Sequence, residues 1–238
     1  MKPLEDFIKQ NKNCCKERII GSSELDREIT ALFLKKGRGL RKKALLISYL
    51  HGNEPETLQA NLSTLENALR QSLLNRWEIV SIPVANPDGK EMNTRENARM
   101  IDLNRDSILK QAKETRAIIR LYENINPSVV LDYHSNLSNK FSCVIVPRST
   151  DIGLCRNVIL SYHELRKETS LHGSWQVTDT RYNTIARFFT KGLYILEGSK
   201  GLVIEHAAQK SRVAAAIEDY GIELSVEFST EILKRYER

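Results

Sequence analysis

The sequence is short of several things, and each shortage excludes a class. No window approaches the roughly 18 uninterrupted apolar residues of a membrane-spanning helix, and the start, Met1-Lys2-Pro3-Leu4-Glu5-Asp6, lacks the apolar run of a secretory signal. A cytoplasmic location is the default expectation. Cysteine is scarce: Cys14, Cys15, Cys143 and Cys155 show neither metal-knuckle nor redox spacing, and two of them adjoin, so a disulfide framework is not expected. Repeats, low-complexity tracts and Pro/Gly/Ser linkers are missing, which predicts a single domain over 1–238, with residues 1–17 as an N-terminal extension. Aromatic residues do not interleave the basic run from Lys35 to Lys43, so it reads as a solvated turn rather than a nucleic-acid patch.

What is present is ample for a buried core: 238 residues, 41% apolar and 28% charged. The net charge of +6 arises from 36 basic against 30 acidic residues, a mixed surface that names no partner. Apolar runs at Ile29–Leu34, Ala44–Leu50, Trp77–Val84, Ser128–Tyr133 and Phe141–Val146 have the length of buried strands. Leu58, Leu62, Leu65 and Leu69 form the stripe of an amphipathic helix after Pro55. Glu114–Tyr122 and Ile152–Lys167 also read as helices. Tyr194–Leu196 and Leu202–Ile204 read as paired strands, and the chain from Gln209 onward as mainly helical. Asn86-Pro87-Asp88-Gly89 carries a turn signal. Strands alternating with helices predict an α/β fold, a three-layer α/β/α sandwich around a mixed, mostly parallel sheet. In such sheets ligands bind where strands end, and the polar residues of this sequence cluster there.

His51 and Glu54 stand three residues apart at a strand end, a spacing that can aim an imidazole and a carboxylate at one point. Alone, such a pair is more often a surface contact or a helix cap. His134 directly follows another apolar strand, and three ligands from two strand ends leave one tetrahedral position open, the pattern of a catalytic zinc. Hydrolysis by water then needs a base, for which Glu205 and Glu197 both qualify, each ending an apolar run. Residues 90–107, rich in Arg and Asn, supply Arg95, Arg99, Arg105, Asn97 and Asn104, candidates for gripping a substrate carboxylate and facing an oxyanion. His163, His172 and His206 have no partners at metal spacing.

The blocks HGNEPE (51–56), NPDG (86–89), TRENARMIDLNRD (94–106), LDYHS (131–135) and GLVIEHA (201–207) resemble the zinc carboxypeptidase family, the carboxypeptidase A group that includes murein tripeptide amidases. The resemblance implies one Zn2+ held by His51, Glu54 and His134, with Glu205 activating the water in preference to Glu197. It further implies that Arg95 polarises the scissile carbonyl, that Asn104 and Arg105 hold the substrate's free carboxylate, and that Asp102 orients His51. Asp106-Ser107 stand where the family has Asn and an aromatic, which implies an altered, more acidic pocket, and the flexible-loop tyrosine falls at Tyr182 or Tyr194. The short segment before residue 18 implies an enzyme made active, without a propeptide. The expected substrate is a small peptide, with no nucleic-acid or membrane partner. The alternative is an acyl-amino-acid amidohydrolase resembling succinylglutamate desuccinylase or aspartoacylase, which Asn53 fits. A non-catalytic, nucleic-acid-binding scaffold is a further reading, disfavoured because ligands, base and clamp are all present.

Overall fold

The computed structural model describes residues 2–106, 109–135, 142–146, 153–155, 157–158, 174–180, 183–189, 193–197, 211, 213–219 and 222–236. Among these residues ten strands and five α-helices follow one another: α1 (Lys2–Gln10), β1 (Cys15–Ser22), β2 (Glu28–Leu34), β3 (Lys42–Ile47), α2 (Glu56–Arg70), β4 (Trp77–Ile82), α3 (Pro87–Met92), α4 (Lys113–Ile125), β5 (Val129–Ser135), β6 (Ser142–Val146), β7 (Ser174–Thr180), β8 (Asn183–Phe189), β9 (Leu193–Glu197), β10 (Val213–Asp219) and α5 (Glu223–Arg235). Eight strands form one sheet in the order β1-β2-β4-β3-β5-β10-β6-β9, while β7 and β8 pair as a separate antiparallel ribbon. Four of the seven pairings in the large sheet are parallel and three antiparallel, so the mixed sheet of the sequence reading is borne out.

The alternation of side chains along each strand builds two cores, one per sheet face. Ala44, Leu46, Val129, Leu131, Tyr133, Ala215 and Ile217 face α2 and α5, together with Leu65, Phe228 and Ile232. Leu45, Ile47, Val130, Ala214 and Ala216 face α4, together with Ile118 and Leu121. Helices on both faces explain why the central strands read as continuous apolar runs rather than alternating ones. On α2, Leu62 and Leu65 are buried and Leu58 and Leu69 pack against the same cluster, the stripe that the spacing predicts. No helix among the described residues is long and apolar enough to cross a membrane.

Three expectations need correction. The chain after Gln209 is helical over Glu223–Arg235, but Val213–Asp219 is β10, inserted between β5 and β6 near the middle of the sheet. Its alanines favour a helix in isolation, but they are small enough to bury on both faces, and tertiary packing decides. NPDG is not a turn that merely stops β4. Asn86 caps α3, its side chain accepting from Gly89 N–H at 2.9 Å, with Pro87 in the first turn. The strand ending in LDYHS runs on through Ser135, so His134 lies within β5 rather than beyond it. The expected strand at Leu202–Ile204 and most of the expected helix at Ile152–Lys167 lie outside the described residues.

Candidate metal centre and substrate clamp

The parallel strands β3 and β5 bring their C-terminal ends side by side, with Ile47 level with Asp132. Beyond Ile47 the chain must leave the sheet at once. Ser48 N–H is held by Ile82 C=O at 3.0 Å, and Tyr49 takes a left-handed conformation, φ 52°, with its N–H donated to Thr57 Oγ1 at 3.0 Å. An L residue in that conformation costs about 1–2 kcal/mol. It turns His51 back over the end of β5.

The turn is also fixed by two glycines. A Cβ on Gly52 would fall on the backbone of Gly89 and Lys90, and a Cβ on Gly89 would meet the Asn86 side chain and the Glu96 carbonyl. The His51 segment, the start of α3 and the 94–106 segment therefore touch backbone to backbone. That contact gives HGNE and NPDG a shared physical reason.

His51, Glu54 and His134 are brought together as expected and are all buried, with ligand atoms lying within 4.8 Å of one another. His51 Nδ1 is 2.8 Å from Glu54 Oε1 and 3.2 Å from His134 Nδ1, and His134 Nδ1 is 3.4 Å from Glu54 Oε2. Zinc bonds of about 2.0–2.1 Å in a tetrahedron place neighbouring donors about 3.3 Å apart; the two imidazole nitrogens meet that spacing and the Glu54 carboxylate turns one oxygen to each, so the three groups form a donor triangle. The far nitrogens are both tied to carboxylates: His51 Nε2 lies 3.3 Å from Asp102 Oδ1, and His134 Nε2 lies 3.1 Å from Asp132 Oδ2. Both Nδ1 lone pairs are thereby available to the same point. Among the described residues that contact the two imidazoles, the carboxylates Glu54, Asp102 and Asp132 stand against one guanidinium, Arg95, an imbalance of two charges that a divalent cation offsets. The donor set fits zinc.

The electrostatics agree. Burial would raise the Glu54 carboxyl, but hydrogen bonds from His134 and His51 outweigh it and hold the group well below the usual carboxylate range. Asp102 is likewise held low against its burial by His51 and Arg95. Burial would lower His134, but Asp132 and Glu54 raise it well above its ordinary value. Glu54 Oε2 also accepts Ser135 N–H at 3.1 Å, locking the His51 segment to β5.

The 94–106 segment divides into residues that face the centre and residues that build the segment. Arg95 donates Nε to Asp102 Oδ2 at 2.9 Å and brings Nη1 within 3.4 Å of His51 Nδ1, so its guanidinium stands against the donor triangle. Asp102 also accepts Asn104 N–H at 2.9 Å. Asn104 is buried, with its side-chain Oδ1 unpartnered, while Arg105 is exposed. Asn97 belongs to the scaffold: its Oδ1 accepts from Arg99 N–H and Ile101 N–H, and its Nδ2 donates to the buried Glu114. Arg99 turns away toward Gln111 C=O and Glu24. Asp106 is buried, its carboxylate accepting from Gln111 N–H and Ala112 N–H at 2.9 Å each, so the acid at this position holds the approach to α4 instead of acidifying a pocket.

Glu205, His163, His172, His206 and Tyr182 lie outside the described residues. Glu197 ends β9 and Tyr194 lies within it, three strands from β5. At about 4.8 Å per strand, β9 runs about 14 Å from the histidine's strand.

Two acids were missed by sequence reasoning. Asp132, inside an apolar strand, meets His134 on the same side because residues i and i+2 of a strand share a face. Glu218 is level with His134 on the adjacent parallel strand β10 and is partly exposed. Ala214, Ala216 and Glu218 alternate on the α4 side, while Asp219 turns to the other, accepting Ser225 N–H of α5 at 2.8 Å. The signal for Glu218 was an apolar run ending in an acid, hidden by its helical reading.

The zinc carboxypeptidase family model matches residues 2–109. "Probable carboxypeptidase 2" of Trichophyton verrucosum (strain HKI 0517) is 36% identical over 90 residues, covering 36% of this chain and 17% of that protein; "Carboxypeptidase 2" of Trichophyton tonsurans gives the same figures. The chain thus spans about a sixth of the length of these curated relatives. A metallo-carboxypeptidase from Burkholderia cenocepacia superposes with a TM-score of 0.71 at 15% identity, covering 98% of this chain and 66% of that one. A metallo-carboxypeptidase from Pseudomonas aeruginosa, in complex with (2-guanidinoethylmercapto)succinic acid, gives 0.70 at 16% with the same coverage. The resemblance to the zinc carboxypeptidase family is borne out, in sequence over residues 2–109 and in fold across 98% of the chain.

Proposed function

We propose that this zinc carboxypeptidase-like chain hydrolyses a peptide or amide bond next to a residue with a free carboxylate, using one Zn2+ held by His51, Glu54 and His134. The observation that carries the reading is the meeting of His51 Nδ1, His134 Nδ1 and the Glu54 carboxylate at contacts of 2.8–3.4 Å, with both imidazoles anchored from behind by carboxylates. When bound there, zinc lowers the pKa of a coordinated water toward about 7 and polarises a carbonyl.

The chain's own residues supply the rest. Glu218, level with His134 on the same sheet face, takes the proton of the attacking water and returns it to the leaving amine. This assignment replaces Glu205, because the register offers a carboxylate one strand spacing from a ligand. Arg95, fixed by Asp102, faces the oxygen on which negative charge develops. Asn104 and the exposed Arg105 receive the substrate carboxylate, the guanidinium gripping both oxygens. The buried histidines and Glu54 hold their positions without solvent, so little reorganisation accompanies the reaction.

Metal analysis of the purified protein, beside His51→Ala and His134→Ala, tests the centre: one zinc per chain in the parent and less than a tenth in either variant are expected. A panel of C-terminally free peptides, γ-D-glutamyl-diaminopimelate and N-acyl amino acids then tests the substrate class. Turnover of acyl amino acids alone would overturn the peptidase assignment. Glu218→Gln is expected to keep its zinc and lose about 10²–10⁴ in kcat, with Glu205→Gln close to the parent. The reverse order would return the base role to Glu205.

A further inference from the structure

The two carboxylates behind the histidines are not equivalent. Asp102 is spread over three partners, His51 Nε2, Arg95 Nε and Asn104 N–H, and its side chain is 21% exposed. Asp132 is fully buried, and among the described residues only its Oδ2 has a partner, His134 Nε2 at 3.1 Å; Oδ1 has none there. Its strand neighbours are apolar, Ile47 on β3 and Ala216 on β10. Below it on the same face lie Val130 and Ala214, in the core against α4.

A carboxylate buried over an apolar floor, with one lone-paired oxygen left over, is a poor way to stabilise a fold, since its desolvation is only partly offset. Its one contact falls on the imidazole nitrogen that the donor triangle does not use. Resting on the zinc reading above, we propose that Asp132 is a positioning residue for metal. It holds His134 as the Nε2–H tautomer and sets the ring so that Nδ1 aims at His51 and Glu54. The partner of Nε2 decides which nitrogen can ligate, and the free rotation of an unheld ring about its side-chain bonds would scatter that lone pair. His51 has a shared, solvent-accessible anchor, whereas His134 depends on this one acid.

The test uses the full chain with zinc alone as probe. Zinc affinity is measured by competition with a chromophoric chelator for the parent, Asp132→Ala and Asp132→Asn. The visible spectrum of each Co2+-loaded protein reports the ligand geometry, and the metal-free proteins are compared by far-UV circular dichroism and unfolding midpoint. Asp132→Ala is expected to bind zinc about 10–100-fold more weakly. Asp132→Asn, whose amide oxygen still accepts from Nε2–H, should recover part of that loss together with a parent-like cobalt spectrum. Equal zinc affinity in all three overturns the inference, as does a folded Asn variant that binds zinc no better than the Ala variant. If Asp132→Ala does not fold, Asp132→Asn decides alone: zinc affinity within about tenfold of the parent together with a parent-like cobalt spectrum supports positioning by the acceptor oxygen, and a loss of about tenfold or more, or an altered spectrum, refutes it. A parent that binds no zinc would instead sink the functional reading, a distinguishable failure.

Discussion

Gly52→Ala is the most exacting perturbation of this site, because it adds one methyl group to a place where the nearest atoms cannot rotate away. The Cβ would fall on the carbonyl carbon of Gly89 and the nitrogen of Lys90, both main chain. Forcing atoms into a packed interior costs about 1–3 kcal/mol, and rigid neighbours put this case at the upper end. For a chain of this size 1 kcal/mol moves the melting temperature by about 2–4 °C, so a fall of about 6–12 °C is expected for the metal-free protein. The same displacement opens the donor triangle. His51 and Glu54 flank the glycine, and a shift of about 1 Å is half the length of a zinc bond, so zinc affinity should fall more than tenfold. Thermal unfolding in chelator, followed by zinc competition, reads both quantities. Asn53→Ala is the control: Asn53, next in sequence to the glycine, is exposed, and a change within about 0.5 kcal/mol is expected. A Gly52→Ala protein that melts with the parent and binds zinc equally well would refute the claim that the HGNE and NPDG segments are locked together by this contact.

Other consequences follow from buried groups. Burial pushes the Cys15 thiol up to about 11, helped by Cys14 and Glu17, so at pH 8 only about one molecule in a thousand carries the thiolate there, and mass spectrometry should find iodoacetamide on Cys14 long before Cys15. Tyr133, pushed up to about 12 by burial, should be silent in ultraviolet titration below pH 11. Removing its hydroxyl with Tyr133→Phe leaves Thr64 Oγ1 and Ser229 Oγ without it, for a loss of about 1–3 kcal/mol in chemical denaturation. In metal-free protein, the raised His134 contributes stability that is complete below its ordinary 6.5 and lost as pH rises through the folded value. The lowered Glu54 contributes stability that is present above its ordinary 4.5 and lost as pH falls. Melting temperature in chelator should therefore peak in weakly acidic solution, whereas the increment added by zinc should grow with pH as protons cease to compete. A zinc increment independent of pH would argue against histidine ligands.

The sequence announced the parts whose physics is local. β2, β3, β4 and β5 are apolar runs of strand length, α2 and α4 carry helical stripes, and His51, Glu54 and His134 stand at the ends of such runs. What stayed hidden depends on distant packing. Val213-Ala214-Ala215-Ala216-Ile217 has neither alternation nor β-branched density, and only the flanking strands β5 and β6 make it a strand, so Glu218 could not be placed. Asp132 looks like an isolated polar interruption until the pleat sets it beside His134. The division of labour in the arginine and asparagine segment was equally invisible, since composition alone does not tell Asn97, which bonds its own loop, from Asn104, which does not.

The place of β10 has a further consequence, for the order in which the protein can be made. A ribosome delivers β5 and β6 some seventy residues before the strand that separates them. Until then each presents a bare row of amides and carbonyls at what will become the interior of the sheet. Such rows invite pairing with other chains, and joining them late through a long detour is slow. Nascent chains halted before Val213 should therefore be the sticky ones, rescued by chaperones or lost, and only with β10 in place does Glu218 come level with His134.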